Sequence, residues 1–313
     1  MNYELFHIQW HITEKCNLRC IHCYREPYRK ELTLTELKLL ADKIVSFVKQ
    51  LNRKLVLTIT GGEPFLKPKV YDLADYVSGF DIVESINFIT NGTIIPDEKL
   101  KQLAKLSKIY ISLESDTAEL NDKIRGKGSF EKVITNLPYF VKNYNTGLMT
   151  TLLNTNIDYL IEHLPTFVST FFNYGVKEII FERFIPAGEA KKVKHEQVFI
   201  DKILLFYKKI AQVYDINFDE LKLYPAVKIV ANNTEVEIYG AECVVGRHGC
   251  AILCDGTVYP CRRFDKEIFN MFNTTTPVLM YNHNNSELVK TLKPDNDSVK
   301  TFTCYAMLYS KSF

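Results

Sequence analysis

The chain has 313 residues, 46% of them hydrophobic and 24% charged, a balance typical of a globular protein with a sizeable core. A formal net charge of only +2 argues against a nucleic-acid binder, which would rely on a strongly basic surface. No apolar run is long enough to cross a bilayer and no secretory signal opens the chain, so we expect a cytoplasmic protein with no membrane partner. In that reducing compartment, eight cysteines favour metal binding or catalysis over disulfides.

Short apolar runs alternate with amphipathic helical stretches from about residue 5 to 215, a pattern typical of βα units with a parallel sheet. The predicted strands are Phe6–Ile12, Lys54–Thr60, Ser85–Thr90, Lys108–Leu113, Gly147–Leu153 and Glu178–Phe184. The predicted helices are one beginning at a capping box of Thr33 and Glu36, then Pro68–Ser78, Asp97–Leu106, Ser129–Asn143, Asp158–Asn173 and Phe199–Val213.

Six βα units are too few for a closed eight-stranded barrel. They predict an α/β fold, a partial (β/α)6 TIM-like barrel over residues 1–215 with its chemistry at the carboxyl ends of the strands. Over residues 216–313 the helical periodicity fades, turn residues increase and five of the eight cysteines occur. We therefore expect a second, small and irregular cysteine-rich domain there.

Three cysteines, Cys16, Cys20 and Cys23, lie within eight residues directly after the first strand. Their thiolates can bind one soft metal centre, and on a cubane cluster three ligands leave one iron open to a cofactor. A structural zinc site is the alternative. It would need a fourth ligand, for which His22 is poorly placed between two of the cysteines.

This CxxxCxxC loop resembles the signature of the radical S-adenosylmethionine (SAM) superfamily, and further segments match in order. They are Gly61-Gly62-Glu63-Pro64 after the second strand, Thr90-Asn91-Gly92 after the third, Ser112-Leu113-Glu114 with Arg125-Gly126 after the fourth, Thr151 to Asn156, and Phe184 to Gly188. The resemblance covers about residues 7 to 190. It implies a [4Fe–4S] cluster on the three cysteines, SAM as cofactor, and an electron donor such as ferredoxin or flavodoxin.

The resemblance also implies roles for single residues around SAM. Gly61, Gly62 and Pro64 belong to the cofactor-binding turn, where glycine lets backbone approach a ligand closely. Glu63 would accept from the SAM ammonium group. A second set of cofactor-binding residues comprises Asn91, Ser112, Glu114 and Arg125, with the Arg125 guanidinium suited to a carboxylate. The reaction implied is reductive cleavage of SAM to methionine and a 5′-deoxyadenosyl radical, which abstracts hydrogen from the substrate.

The C-terminal cysteines resemble the SPASM/Twitch extension of radical SAM enzymes. Cys243, Gly256 and Cys261 match its spacing, Asp255-Gly256 predicts a hairpin turn, and Cys304 is the next candidate ligand. Five cysteines cannot fully ligate two cubanes, so we expect one auxiliary [4Fe–4S] cluster. Whether Cys250 or Cys254 is its fourth ligand is open. A zinc ribbon of Cys250, Cys254, Cys261 and Cys304 is the alternative.

Many relatives with this extension act on peptides, so the leading expectation is radical modification of a peptide or protein side chain, such as thioether formation, crosslinking or dehydrogenation. Only 15 residues precede Cys16 in this sequence, so we expect no N-terminal peptide-recognition domain. The second hypothesis is a small-molecule enzyme, such as an alcohol dehydrogenase or an enzyme of tetrapyrrole or cofactor biosynthesis. The third is a non-catalytic zinc protein.

Overall fold

The computed structural model describes residues 5–25, 29–232, 235–245 and 248–291. Its strands are β1 (Leu5–His11), β2 (Lys54–Thr60), β3 (Val83–Thr90), β4 (Leu106–Ser112), β5 (Thr146–Leu152), β6 (Glu178–Arg183), β7 (Ala226–Asn232), β8 (Glu235–Ala241), β9 (Gly249–Ile252), β10 (Thr257–Tyr259) and β11 (Phe269–Asn270). Its helices are α1 (Leu34–Gln50), α2 (Val70–Ser78), α3 (Ala118–Arg125), α4 (Ser129–Asn143), α5 (Ile157–Tyr174), α6 (Ile200–Tyr214), α7 (Phe218–Leu221) and α8 (Pro277–Thr291).

The strands form a single sheet in the order β11-β10-β9-β1-β2-β3-β4-β5-β6-β7-β8. Strands β1 to β6 are parallel and consecutive, as expected when each crossover carries a helix or helical turn. This confirms the α/β partial barrel. The segment after α7 extends the sheet at both edges: β7 and β8 continue antiparallel beyond β6, while β9 pairs parallel with β1.

Local sequence signals explain where most elements begin. All six predicted strands are present within two residues of their predicted ends. Helix α1 begins at the predicted capping box, in which the Thr33 hydroxyl accepts from the Glu36 N–H and the Glu36 carboxylate accepts from the Thr33 N–H. The predicted Asp255-Gly256 turn joins β9 to β10, and Gly256 has the positive φ of 84° that this turn needs.

Two helix predictions were wrong in extent. The helix predicted over Asp97–Leu106 is only a 3₁₀ turn at Glu98–Gln102, because β4 already begins at Leu106 and leaves no length for further turns. The helix predicted from Pro68 begins at Val70, because Lys69 has a left-handed φ of 61° that interrupts helical geometry. Helix α3, which follows β4, was not predicted.

The main core lies between the outer face of the sheet and the helices. On β1, Phe6, Ile8 and Trp10 are buried in this core, whereas the alternate residues face the inside of the partial barrel. The carboxyl ends of β1 to β6 share one rim because these strands are parallel. None of the helices in the described part of the chain is long and apolar enough to span a membrane.

Candidate functional site

A cavity of about 340 Å³ opens at the carboxyl rim of the sheet, and Cys16, Cys20 and Cys23 all line it. The loop that carries them follows β1 and is held back on itself, since the Cys23 N–H donates to the Cys20 carbonyl at 3.2 Å. The structure therefore brings the three predicted ligands to one side of one cavity, next to the glycine turn at Gly61 and Gly62.

Each of the three sulfurs has an N–H donor directed at it. The Leu18 N–H donates to Cys16 Sγ at 3.4 Å, and Arg25 Nε donates to Cys23 Sγ at 3.1 Å. Arg125 Nη1 lies 3.9 Å from Cys20 Sγ. Donors of this kind stabilise thiolates, the form in which cysteine binds iron.

Without a metal, burial favours the protonated thiols over the thiolates. It raises the pKa of the Cys20 thiol to about 11 and raises that of Cys16 from its usual value. A metal that replaces these protons would remove the conflict. Among the described residues, no three His, Cys, Asp or Glu side chains converge as ligands of a single metal ion. Thiolates on a cubane each bind a different iron, so they do not need such convergence.

The glycine turn after β2 packs against the start of the cysteine loop. The Gly62 N–H donates to the Thr13 carbonyl and the Glu63 N–H to the Lys15 carbonyl, both at 2.7 Å. A β-carbon on Gly62 would lie 2.1 Å from the Lys15 oxygen, and one on Gly61 2.4 Å from the Thr13 oxygen. Glycine is therefore needed here because the backbone of the cysteine loop packs directly against the turn. The sequence had suggested a different reason, the close approach of a ligand.

Glu63 is fully buried and is not part of the cavity wall. Its carboxylate accepts from the Thr90 hydroxyl and the Asn91 N–H, both at 2.8 Å, and burial raises its pKa to about 7. Its role as acceptor for the SAM ammonium group stays a prediction. Pro64 is buried and begins a 3₁₀ turn over Pro64–Leu66.

Asn91 lines the cavity and connects the end of β3 to the cysteine loop. Its side-chain amide donates to Asn17 Oδ1 at 2.8 Å and lies 3.7 Å from Cys16 Sγ, and its Oδ1 accepts from the Thr93 N–H at 2.9 Å. These contacts orient the first cysteine of the loop, and the contact of Asn91 with SAM stays a prediction.

Glu114 and Arg125, two predicted cofactor contacts, form a buried ion pair. Arg125 Nε and Nη2 both donate to Glu114 Oε1, at 3.0 and 2.6 Å, and the other Glu114 oxygen accepts from the Thr151 N–H. Helix α3 ends at Arg125 and so places it beside the end of β4. Ser112 and Arg125 line the cavity, while Glu114 lies behind them and holds the guanidinium in place.

A largely buried histidine completes this corner. His22 Nε2 lies 3.4 Å from Glu114 Oε1, and burial lowers the pKa of His22 to about 3. Its Nδ1 has no hydrogen-bond partner among the described residues. His22 lines the cavity, as do Cys20 and Cys23, which flank it in the sequence.

The C-terminal cysteines separate into two groups. Cys243 and Cys261 line the cavity and pack against the same small apolar cluster. Cys250 faces the opposite side of β9, in the main core, where burial raises its pKa far above the usual value. Cys254 is also buried, with its pKa raised to about 12. Cys304 lies outside the described residues.

Glu182, Arg262 and Arg263 are among the charged residues of the cavity wall that were not singled out from sequence. Arg263 forms an ion pair with Glu182, which joins the C-terminal segment to the end of β6. Arg262 is 3% exposed, and its Nη2 donates to the Tyr24 carbonyl at 3.0 Å, while its Nε is buried without a partner among the described residues. For Arg262 and Arg263, the only signal available in the sequence was their position directly after Cys261.

Comparison with known proteins agrees with this geometry. The family model described as the radical SAM superfamily matches residues 10–165, a segment that contains the cysteine loop, the glycine turn and the Glu114–Arg125 pair. The chain belongs to the radical SAM superfamily. Members of this superfamily are iron–sulfur enzymes, and membership implies a [4Fe–4S] cluster and SAM.

Two curated relatives and one solved structure illustrate the range of similar proteins. An Fe-coproporphyrin III synthase of Methanosarcina barkeri is 28% identical over 202 residues, covering 62% of this chain and 48% of the relative. Mycofactocin maturase MftC of Mycobacterium tuberculosis is 28% identical over 191 residues, covering 59% and 46%. The chain thus spans about half the length of these curated relatives. The structure of anSMEcpe with bound AdoMet and a peptide covers 94% of this chain and 86% of its own, with a TM-score of 0.66 and 17% identity.

The residues present fit the implied cofactors. The donor set is three thiols, each with an N–H donor, on a cavity that also presents backbone at Gly61 and Gly62 and hydrogen-bonding groups at Ser112 and Arg125. Thiolate donors suit iron–sulfur clusters. The likeness to this solved structure supports the fold, since it covers 94% of the chain.

Proposed function

We propose that this radical SAM enzyme abstracts hydrogen from a peptide or protein side chain. Cys16, Cys20 and Cys23 would hold the [4Fe–4S] cluster at the cavity wall, leaving one iron for the amino-acid end of SAM. When bound, the cluster and SAM supply the one-electron chemistry that yields a 5′-deoxyadenosyl radical. The observation that carries the proposal is that all three thiols line one cavity together with the glycine turn and Arg125.

The protein's own residues would position SAM and exclude water. Ser112 would donate a hydrogen bond, and Arg125, kept in place by Glu114, would present its remaining N–H groups towards the cavity. The backbone at Gly61 and Gly62 offers further polar groups. Met149 and Ile185 contribute apolar parts of the cavity wall, which would limit the access of water. A reactive carbon radical requires this exclusion of water.

The edge of the sheet at β8 supports the proposal that the substrate is an extended peptide. Among the described strands β8 pairs only with β7, so its outer backbone N–H and C=O groups are available to an added strand. Strand β8 ends at Ala241, and Ala241 and Glu242 both line the cavity. A peptide paired along β8 would therefore lead one of its side chains into the cavity. Two of the similar solved structures contain a peptide: SuiB with its precursor peptide SuiA and anSMEcpe with the Cp18Cys peptide.

We also propose one auxiliary [4Fe–4S] cluster on Cys243 and Cys261, since both face the cavity, with Cys304 as a further ligand. Cys250 would be a core residue, because it packs on the opposite face of β9 among apolar side chains. Cys254 stays a candidate for the fourth position. The electron donor would be a ferredoxin or a flavodoxin.

The test is an anaerobic assay of the reconstituted enzyme with SAM, dithionite and peptides encoded beside its gene, each peptide deuterated at one side chain. Deuterium in 5′-deoxyadenosine and a mass change in the peptide support the proposal. The matched control is the triple variant Cys16→Ala/Cys20→Ala/Cys23→Ala, which should form no 5′-deoxyadenosine. Zinc at one ion per chain without iron would contradict the enzyme assignment.

A second candidate is a tetrapyrrole substrate, favoured by Arg262 and by the haem-synthesis relatives. Arg262 is a buried cation of the cavity wall that makes no ion pair with any described carboxylate, and such a charge favours an anionic ligand. Porphyrin carboxylates would satisfy it. Fe-coproporphyrin III should then bind, measured by its Soret absorbance, while its tetramethyl ester and the R262Q enzyme with the free acid should show at least tenfold weaker binding. Equal binding in all three would exclude this role.

A further inference from the structure

Arg25 contacts the cysteine loop at three points. Its Nε donates to Cys23 Sγ at 3.1 Å, its Nη1 donates to the Glu14 carbonyl, and its Nη2 donates to the Leu18 carbonyl at 3.3 Å. The side chain therefore spans the loop from before Cys16 to Cys23. It is half-buried, and it lies in the cavity wall.

Among the described residues, the charge of Arg25 is directed at sulfur, because its closest side-chain contact is Cys23 Sγ. Its electrostatic neighbours are Cys23, then Cys16, and more weakly the carboxylate of Glu14. Arg125 differs in this respect. Although it approaches Cys20, two of its N–H groups bond to the buried Glu114 carboxylate, which neutralises most of its charge.

From this contrast we infer that Arg25 raises the reduction potential of the cluster at Cys16, Cys20 and Cys23, an inference that rests on the proposed function. A cubane with three thiolates is already negative, and reduction adds one more negative charge. A cation and an N–H···S hydrogen bond at a ligand sulfur stabilise the reduced state more than the oxidised state. Arg25 is thus a positioning residue that makes the cluster easier for a biological donor to reduce.

The test compares wild-type enzyme with R25Q, R25K and R19Q, all reconstituted anaerobically. Arg19 lies in the same loop but is exposed and has no described contact, so R19Q removes the same charge without the sulfur contact. Iron and sulfide analysis measures cluster content. An EPR-monitored redox titration then measures the midpoint potential of the signal that changes when SAM is added.

We expect R25Q to contain as much iron as wild type. The equilibrium constant for reduction of its cluster should fall on the order of tenfold, a shift of about 59 mV to more negative potential for a one-electron couple. R25K, which keeps the charge but loses the planar fork, should lie between R25Q and wild type, and R19Q should equal wild type. A potential of R25Q equal to that of R19Q overturns the inference. If R25Q does not retain the cluster, the midpoint potential of R25K is the test. An R25K potential equal to that of R19Q overturns the inference as well.

Failure of the inference and failure of the proposed function give different results. A wild-type protein without a SAM-sensitive cluster contradicts the proposed function. A wild-type protein with that cluster, whose potential does not respond to R25Q, contradicts only the role of Arg25.

Discussion

Replacing Glu114 with glutamine tests the buried ion pair behind the cavity. Glu114 is fully buried and accepts two N–H groups of Arg125 on one oxygen and the Thr151 N–H on the other. Breaking one side of a buried pair costs about 3–5 kcal/mol, because a charge is left uncompensated. Glutamine keeps one acceptor oxygen, so we expect E114Q to lower the free energy of unfolding by about 3 kcal/mol.

Urea unfolding of the apoprotein under reducing conditions measures this loss. Trp10 is the single tryptophan and is fully buried in the core, so its fluorescence reports the transition. The control is E189Q, which removes an exposed ion pair with Lys192 and should change stability by less than about 0.5 kcal/mol. The double variant E114Q/R125M removes both charges of this pair and should be more stable than E114Q. A loss in E114Q no larger than that in E189Q would refute the reasoning.

Three further predictions concern the turn, the buried acid and the core cysteine. The G62A enzyme should lose most of its cluster iron, because the added carbon would lie 2.1 Å from a backbone oxygen, whereas G79A, with its nearest atom at 3.4 Å, should keep it. The pKa of Glu63, raised from 4.5 to about 7, means that the folded state binds the extra proton, so the stability of wild type relative to E63Q should fall as pH rises from about 4.5 to 7. A constant or rising difference would show that the acid is ionised in the fold. Iron analysis should show that C250A keeps all the iron of wild type while C261A loses the auxiliary iron, and equal losses would assign Cys250 as a ligand.

The sequence predicted the elements that depend on local signals. The six strands are rich in apolar and β-branched residues, α1 begins with a capping box, and Asp255-Gly256 is a strong local turn signal. The order of the cysteine loop and the glycine turn along parallel strands placed both at the same rim. These features depend on nearby residues and on the geometry of βα units.

The features that were missed depend on residues distant in sequence. Helix α3 is strongly polar and was overlooked, and with it the pairing of Arg125 with Glu114, which the sequence had assigned separately to the cofactor. An isolated arginine two residues after Cys23 gave no reason to expect three contacts across the loop. Cys250 faces the main core and Cys261 faces the cavity. This difference depends on the pairing of β9 with β1, which the sequence does not reveal.

The most direct measurement of the central claim is 5′-deoxyadenosine formation from SAM under anaerobic reducing conditions, together with iron content. The wild-type protein should contain at least about four irons per chain and cleave SAM, and the protein lacking all three thiols of the loop after β1 should not cleave it while retaining any C-terminal iron. Undiminished cleavage by that variant would contradict the account.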